Sequence, residues 1–420
     1  MIARRIERRL RWGLFIAGAV LIWSLAVSEW QLLFCVFWGL LTLEAWGDRR
    51  LPALFFHSVS DNGECIGCPS LVMPVKSFDV QIKWLTRLGY HGLFCDECYQ
   101  LRCQKQVPGN AICLTFDDGY LDNWTHAFPI LKRYSMKATI FMAAGWIDNN
   151  PSLNTQMPTF GPSRDKSRGY LGPAEIRALQ TSGCIDIQSH GLSHDSIFVS
   201  DEILGFVSPD NQPHGLHCYV HPEIKPHWFE FSMAALFGFP VFKTGEALAD
   251  RAFIPDPALL SILREQAAAA GFFDQSDWES RLRETAETFK RHHGRLGRLE
   301  TLAESQDRWR KELLQSREQL EAITGKPVRH LAWPRNAYNQ ETEKMALALG
   351  YQSTTTVRGL HNTYRQPHRL ERLAVVPTGH TALDVARMLL EIWVFKGHYI
   401  LWPLLFGLQR LSGYHTSKKK

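Results

Sequence analysis

The chemistry-bearing residues of this 420-residue chain gather at two places. Asp117-Asp118-Gly119-Tyr120 follows the apolar run AICLTF, and Ser189-His190-Gly191-Leu192-Ser193-His194 follows CIDIQ. Two adjacent acids at the end of a buried strand cost free energy unless something uses the charge. In parallel α/β folds that end of the strand is where sites are built. Taken alone, Asp-Asp-Gly reads as a turn, and one histidine after a strand as a satisfied polar residue. Taken together they read differently. His190 and His194 face one point if their segment makes a helical turn, and each offers a neutral imidazole nitrogen. One carboxylate with two histidines is a 2-His-1-carboxylate metal site with positions left open. The remaining carboxylate is then a general base beside a cation that acidifies water.

Such residues need a scaffold that brings distant strand ends together. The apolar pattern predicts a buried strand over 51–59. It then predicts a helix carrying Phe78, Ile82, Leu85 and Leu88, stopped by Gly89. Strands expected over 111–116, 137–143, 184–188, 328–333 and 351–357 alternate with helices over 124–134, 173–182 and 340–349. This alternation predicts a parallel α/β sheet or barrel. It breaks between about 200 and 320. That stretch is first rich in Pro and His and then charged and helical, with Trp309, Leu313, Leu320 and Ile323 as apolar positions. The expected division is a membrane anchor over 1–50, a catalytic barrel over 51–200 and 320–383, an insertion over 201–319, and an amphipathic or membrane-associated segment over 384–420.

TFDDGY, SHGLSH, and LAWPRNAYN followed by ALGYQSTTT resemble the polysaccharide deacetylase family, carbohydrate esterase family four. The resemblance covers about 51–200 and 320–380, and FFHSVS at 55–60 is similar to the family's opening strand. It implies a distorted (β/α) barrel and removal of N- or O-acetyl groups from glycans. It makes Asp117 the general base and Asp118, His190 and His194 the ligands of a divalent metal, zinc. Pro334 and the backbone N–H of Arg335 match the family's oxyanion element, Tyr120 belongs to the first motif, and His57 lies near the site floor. Two positions depart from the family pattern. Ala332 stands where an arginine steadies the base, which leaves Arg329 and Arg335 as candidates for that task. No Leu-x-His motif supplies the catalytic acid, so His380 in PTGHTAL is the candidate. Deacetylation, deformylation of a lipid-linked sugar, and glycan binding without turnover are the readings left open.

Composition narrows the setting. With 45% apolar and 21% charged residues the chain is not disordered, and a mean hydropathy of −0.19 is not that of a polytopic membrane protein. Arg4, Arg5, Arg8, Arg9 and Arg11 precede an apolar stretch over 12–46, and Lys418, Lys419 and Lys420 follow an apolar, aromatic one. Basic charge beside apolar segments points to a bilayer rather than to nucleic acid. The expected partners are therefore a membrane and a glycan or lipid-linked sugar, at a bacterial-type inner membrane. Glu29 and Gln31 allow either one long tilted span or a hairpin. Nine cysteines without small-domain spacing suit a reducing compartment and lean towards the hairpin and a cytoplasm-facing site. Two cysteine pairs (65/68 and 95/98) and the set His214, His217, Cys218, His221 and His227 are further metal candidates. Each reads better as ordinary loop or core residues. Trp228 and Phe229 are candidates to stack on a sugar.

Overall fold

The computed structural model describes residues 50–61, 69–149, 169–356, 362, 364–398, 401 and 403–406. Its strands are β1 (Ala53–Phe56), β2 (Ser58–Val59), β3 (Val72–Met73), β4 (His91–Leu93), β5 (Ala111–Phe116), β6 (Ala138–Met142), β7 (Ile185–Ser189), β8 (Ser196–Phe206), β9 (Pro240–Glu246), β10 (Phe253–Pro255), β11 (Gly297–Leu299), β12 (His330–Ala332), β13 (Ser353–Thr356), β14 (Arg369–Glu371) and β15 (Leu373–Ala374). The main sheet runs β14-β13-β12-β7-β6-β5-β1-β15, with β4 added beside β5. Every pairing in it is parallel.

The two edges of this sheet are parts of one segment. Thr356 pairs with Glu371 on one side and Leu54 with Leu373 on the other. The single residue between β14 and β15, Arg372, therefore sits at the seam that closes the sheet into a barrel. Parallel strands buried on both faces read as near-continuous apolar runs, and all six residues of AICLTF in β5 are buried, its one hydroxyl, Thr115 Oγ1, donating to Leu54 O at 2.9 Å. Helices Val75–Arg87, Pro173–Thr181, Leu302–Thr324 and Thr381–Phe395 cover the outside. Phe78, Ile82, Leu179, Leu313 and Met388 join the main apolar core.

The lower end of the barrel is plugged. β4 fills only the lower part of the gap between β5 and β6, since Leu93 pairs with Cys113 while Thr115 pairs with Thr139. The helix Cys95–Cys103 follows and packs Cys95 and Cys98 against Cys113, Phe141 and Ala332. The Cys95 and Cys113 sulfurs are 3.6 Å apart. These cysteines are core residues; Cys65 and Cys68, their expected partners in a zinc site, lie outside the described residues.

Three expectations change. The insertion separates from the barrel at β8 and has its own core, which runs from Phe198 to Leu296. It is not mostly helical at the face that matters: β8 and β9 form a long antiparallel ribbon, beside helices Pro257–Ala267 and Trp278–His293. Helix Leu302–Thr324, expected inside the insertion, belongs to the barrel, because Trp309, Leu313 and Leu320 are buried in the main core. Its charged outer face had hidden that membership. The helix Thr381–Phe395, expected to begin a membrane-associated segment at 384, packs Met388 and Ile392 on the barrel. The expected anchor over 1–50, apart from Arg50, and the chain from 407 onward lie outside the described residues. Among the described residues no helix is long and apolar enough to cross a membrane.

Candidate metal centre and active site

All the expected site motifs leave the upper, C-terminal ends of barrel strands. Asp117 and Asp118 follow β5, His57 follows β1, His190 follows β7, and Trp333 to Arg335 follow β12. All of these except Pro334 line one cavity of about 700 Å³.

After β5 the chain turns sharply. Asp118 has φ +70° and Gly119 φ +81°. A side chain at Gly119 would collide with Met142 Sδ, so glycine is required there by both conformation and space. The turn separates the two acids. Asp118 Oδ1 is buried without a hydrogen-bond partner. It faces His190 Nε2 at 3.4 Å and His194 Nε2 at 3.3 Å. Among the described residues these three form a group whose donor atoms all lie within 4.8 Å of one another. Zinc with four donors about 2.0–2.1 Å away sets neighbouring donors roughly 3.3 Å apart, so an orphaned buried carboxylate oxygen and two imidazole nitrogens fit a divalent cation.

The helical turn expected to bring His190 and His194 together is absent. Residues 190–194 form an irregular loop with positive φ at Gly191 and His194. The loop is held from several sides. His190 Nδ1 contacts Ala332 O at 2.8 Å, which leaves Nε2 for the site. Ser193 N donates to Glu312 at 2.8 Å. Ser193 O accepts from Trp146 Nε1 at 2.8 Å and from Lys225 Nζ at 2.9 Å. Lys225 also meets the Asp195 carboxylate at 2.9 Å. Burial would lower the His190 pKa, but Asp117 and Asp118 raise it overall. Burial, helped by His190 and Arg335, brings His194 down to about 4, despite Asp118.

Asp117 is gripped from the barrel seam. Arg372 Nη1 donates to its Oδ1 at 2.6 Å and Nη2 to its Oδ2 at 2.8 Å. Both side chains are 4% exposed. The Arg372 guanidinium also lies over Phe55 and Phe141, 4.7 and 5.3 Å from the ring centroids. Burial would raise the Asp117 pKa; Arg372 and His190 outweigh it, and the carboxyl is held below its ordinary value. The two arginines expected to steady the base are occupied elsewhere. Arg329 lies 3.7 Å from Asp96, at the far end of the barrel, and Arg335 reaches Ser196 and, at 3.7 Å, Glu246. Sequence reasoning missed Arg372 because it is 255 residues from Asp117. Its one signal was a charge inside the short strand-like run LERLAV.

The other expected residues divide. His57 lines the cavity floor with Asp117 and Asp118, and burial lowers its pKa although both acids oppose this. Tyr120 stacks on Tyr170 at 5.1 Å and lines the cavity, as do Trp333 and Arg335. Pro334 is buried, and its ring backs onto Gly191. His380 is misplaced. It is an exposed residue preceding the helix Thr381–Phe395 and does not line the cavity.

The insertion supplies the facing wall of the cavity with Phe198, Leu204, Leu216, Trp228, Val241 and Phe242. Trp228 is placed to meet a substrate, whereas Phe229 is exposed and does not line the cavity. The insertion histidines form no metal-ligand group among the described residues, although His214 and His217 both pack on Trp228. His227 pairs with Asp148, His221 with Glu223, and His217 stacks on Phe231.

Comparison with known proteins gives a consistent family. The chain matches the family model described as polysaccharide deacetylase over residues 104–213 and 255–354, half of its 420 residues. A Bacillus subtilis (strain 168) protein assigned by name to the polysaccharide deacetylases, YxkH, is 43% identical over 146 residues, 34% of this chain and 43% of the relative. The poly-beta-1,6-N-acetyl-D-glucosamine N-deacetylase of Escherichia coli (strain K12) is 25% identical over 153 residues, 36% of this chain and 22% of the relative. The chain thus spans less than half the length of these curated relatives. Among solved structures, the BpsB deacetylase domain of Bordetella bronchiseptica superposes with a TM-score of 0.49 at 18% identity, over 78% of this chain and 96% of that chain.

Proposed function

Because this chain belongs to the polysaccharide deacetylase family, we propose that it hydrolyses N-acetyl groups from an amino-sugar glycan of the cell envelope, working at a membrane with zinc as its metal. The observation that carries the reading is one cavity holding both a buried Asp118–His190–His194 group and a separate, arginine-gripped Asp117. Asp118, His190 and His194 would hold the cation. When bound, it supplies Lewis acidity to a water molecule and to the amide carbonyl.

The chain's own residues divide the remaining work. Asp117, kept ionised by Arg372, takes the proton from the attacking water. His57, beside both acids on the floor, is placed to relay the proton that Asp117 takes from the water to the departing nitrogen, the role expected of His380. The Arg335 backbone, at φ +51° on the cavity wall, is the oxyanion donor in this reading. Trp146 and Trp228 offer aromatic surface for sugars, with Tyr170 packed behind Trp146, and the insertion limits water around the reacting amide. An N-acetyl group on a poly-N-acetylglucosamine-type chain suits this aromatic cavity, and no observation favours a formyl group.

The test is acetate release from N-acetylglucosamine oligomers by purified, zinc-loaded protein. Wild type should release acetate, and Asp117→Asn should retain the metal yet lose turnover by about 10²–10⁴-fold. Equal rates in the two proteins would remove the assignment.

A further inference from the structure

The barrel has two poles, and the chain's apolar ends attach at the one opposite the site. Residues 12–46 join the described chain at Arg50, which donates to Phe395 O at 3.2 Å. Phe395 ends the last long helix, and the apolar segment from 399 follows it. The next residue, Lys396, reaches Gly109 O just before β5 and Tyr90 OH just before β4. These contacts lie at the lower, N-terminal ends of the strands. Asp117, Asp118, His190 and His57 lie at the upper ends.

The surface of the lower pole is amphiphilic. Trp84 is 40% exposed and Leu88 44% exposed, both at the lower end of the helix Val75–Arg87. The Arg87 guanidinium lies 5.7 Å from the Trp84 ring. Segments 83–91 and 104–110 at this end carry Lys83, Arg87, His91 and Lys105 and no acid, while Asp96 and Glu97, also at this end, are paired with Arg329 and His330 and with Lys137. An exposed tryptophan and leucine with Arg87 beside them and further cations on the same segments suit the boundary between acyl chains and anionic headgroups.

We infer that this lower pole docks on an anionic lipid bilayer, so that the catalytic mouth points away from the membrane. The inference rests on the deacetylase reading only for the kind of substrate it selects. β5 rises about 3.3 Å per residue, which sets the Asp117–Asp118 pair roughly 20 Å above the pole. A headgroup layer is about 5–7 Å deep on each side of a bilayer. A sugar attached directly to a membrane lipid would lie below the mouth. The glycan that reaches it is an extended chain, standing clear of the headgroups.

The experiment uses the full chain reconstituted in vesicles of phosphatidylcholine and phosphatidylglycerol. Photoreactive benzoylphenylalanine is placed at position 83 on the lower pole or at position 202 on the exposed β8–β9 ribbon. Mass spectrometry of the adducts should show lipid bonded to position 83 and several-fold less at position 202. The paired change Trp84→Glu and Leu88→Glu should weaken vesicle binding of the full chain about tenfold, with acetate release from soluble oligomers unchanged. Equal or greater lipid labelling at 202 would overturn the orientation. Adducts from 83 to the chain's own residues 12–46, in place of lipid, would overturn the docking surface. A protein that labels as expected yet releases no acetate would sink the deacetylase reading and leave the docked pole standing.

Discussion

Replacing Arg372 by methionine removes the grip on Asp117 while keeping most of the side-chain volume. Two effects should follow. The first is on stability. The pair is bidentate at 2.6 and 2.8 Å with each side chain 4% exposed, and breaking such a pair from one side leaves an uncompensated buried charge, at a cost of about 3–5 kcal/mol. The second is on the base. In the wild type, Arg372 holds the Asp117 pKa below its ordinary value against burial. Stability from this group is therefore present above the unfolded carboxylate value and lost as pH falls through the folded one. Without Arg372 the largest cause opposing burial is gone, and the folded pKa moves up although His190 and His57 still lower it. The base is then protonated over a wider range, and the acid limb of the pH–rate profile should move to higher pH. The assay is kcat against pH on zinc-loaded protein, with zinc content and a melting curve for each variant. Arg372→Lys keeps the charge and loses the fork, so it should fall between wild type and Arg372→Met. A folded, zinc-loaded Arg372→Met protein with an unmoved acid limb and kcat within a few-fold of wild type would refute the positioning role.

His190→Ala or His194→Ala should abolish stoichiometric zinc binding, measured by elemental analysis after dialysis; full occupancy in both would exclude the three-residue site. Lys225→Met should weaken zinc affinity by about 10–100-fold with the fold retained, because Lys225 anchors both Ser193 and Asp195 around His194; an unchanged affinity by calorimetric titration would show that the barrel alone sets that loop. His57→Ala should lower kcat by about 10²-fold or more and His380→Ala by less than twofold; the reverse order would restore His380 as the proton donor. Asp122 is fully buried beside Ser58, Val59 and Asn123, and burial raises its pKa to about 7. A raised carboxyl favours the folded state below the unfolded value and loses that stability as pH rises through about 7, a change of roughly 4 kcal/mol at 1.36 kcal/mol per unit. Asp122→Asn should therefore flatten denaturant stability between pH 4.5 and 8, and an unchanged slope would count against the assignment.

The sequence by itself determined the barrel strands that carry the motifs and the identity of the residues that meet. AICLTF, KATIFMA and CIDIQ are short apolar runs bounded by turn residues, and their period and punctuation are local properties. Asp117, Asp118, His190 and His194 were legible because each adjoins such a run. Three things were decided only by the tertiary structure, each through contacts between distant parts of the chain. The seam places Arg372 against Asp117, a pairing that depends on β14 and β15 meeting opposite edges of one sheet. Helix Leu302–Thr324 belongs to the barrel because Trp309, Leu313 and Leu320 find their partners there, while its exposed face reads as that of any charged helix. His190 and His194 converge through an irregular loop with positive φ at Gly191 and His194, held at Ser193 by Trp146, Lys225 and Glu312. Spacing alone suggested a helical turn, since four residues apart is one turn; which geometry prevails depends on hydrogen bonds from elements 32 to 119 residues away.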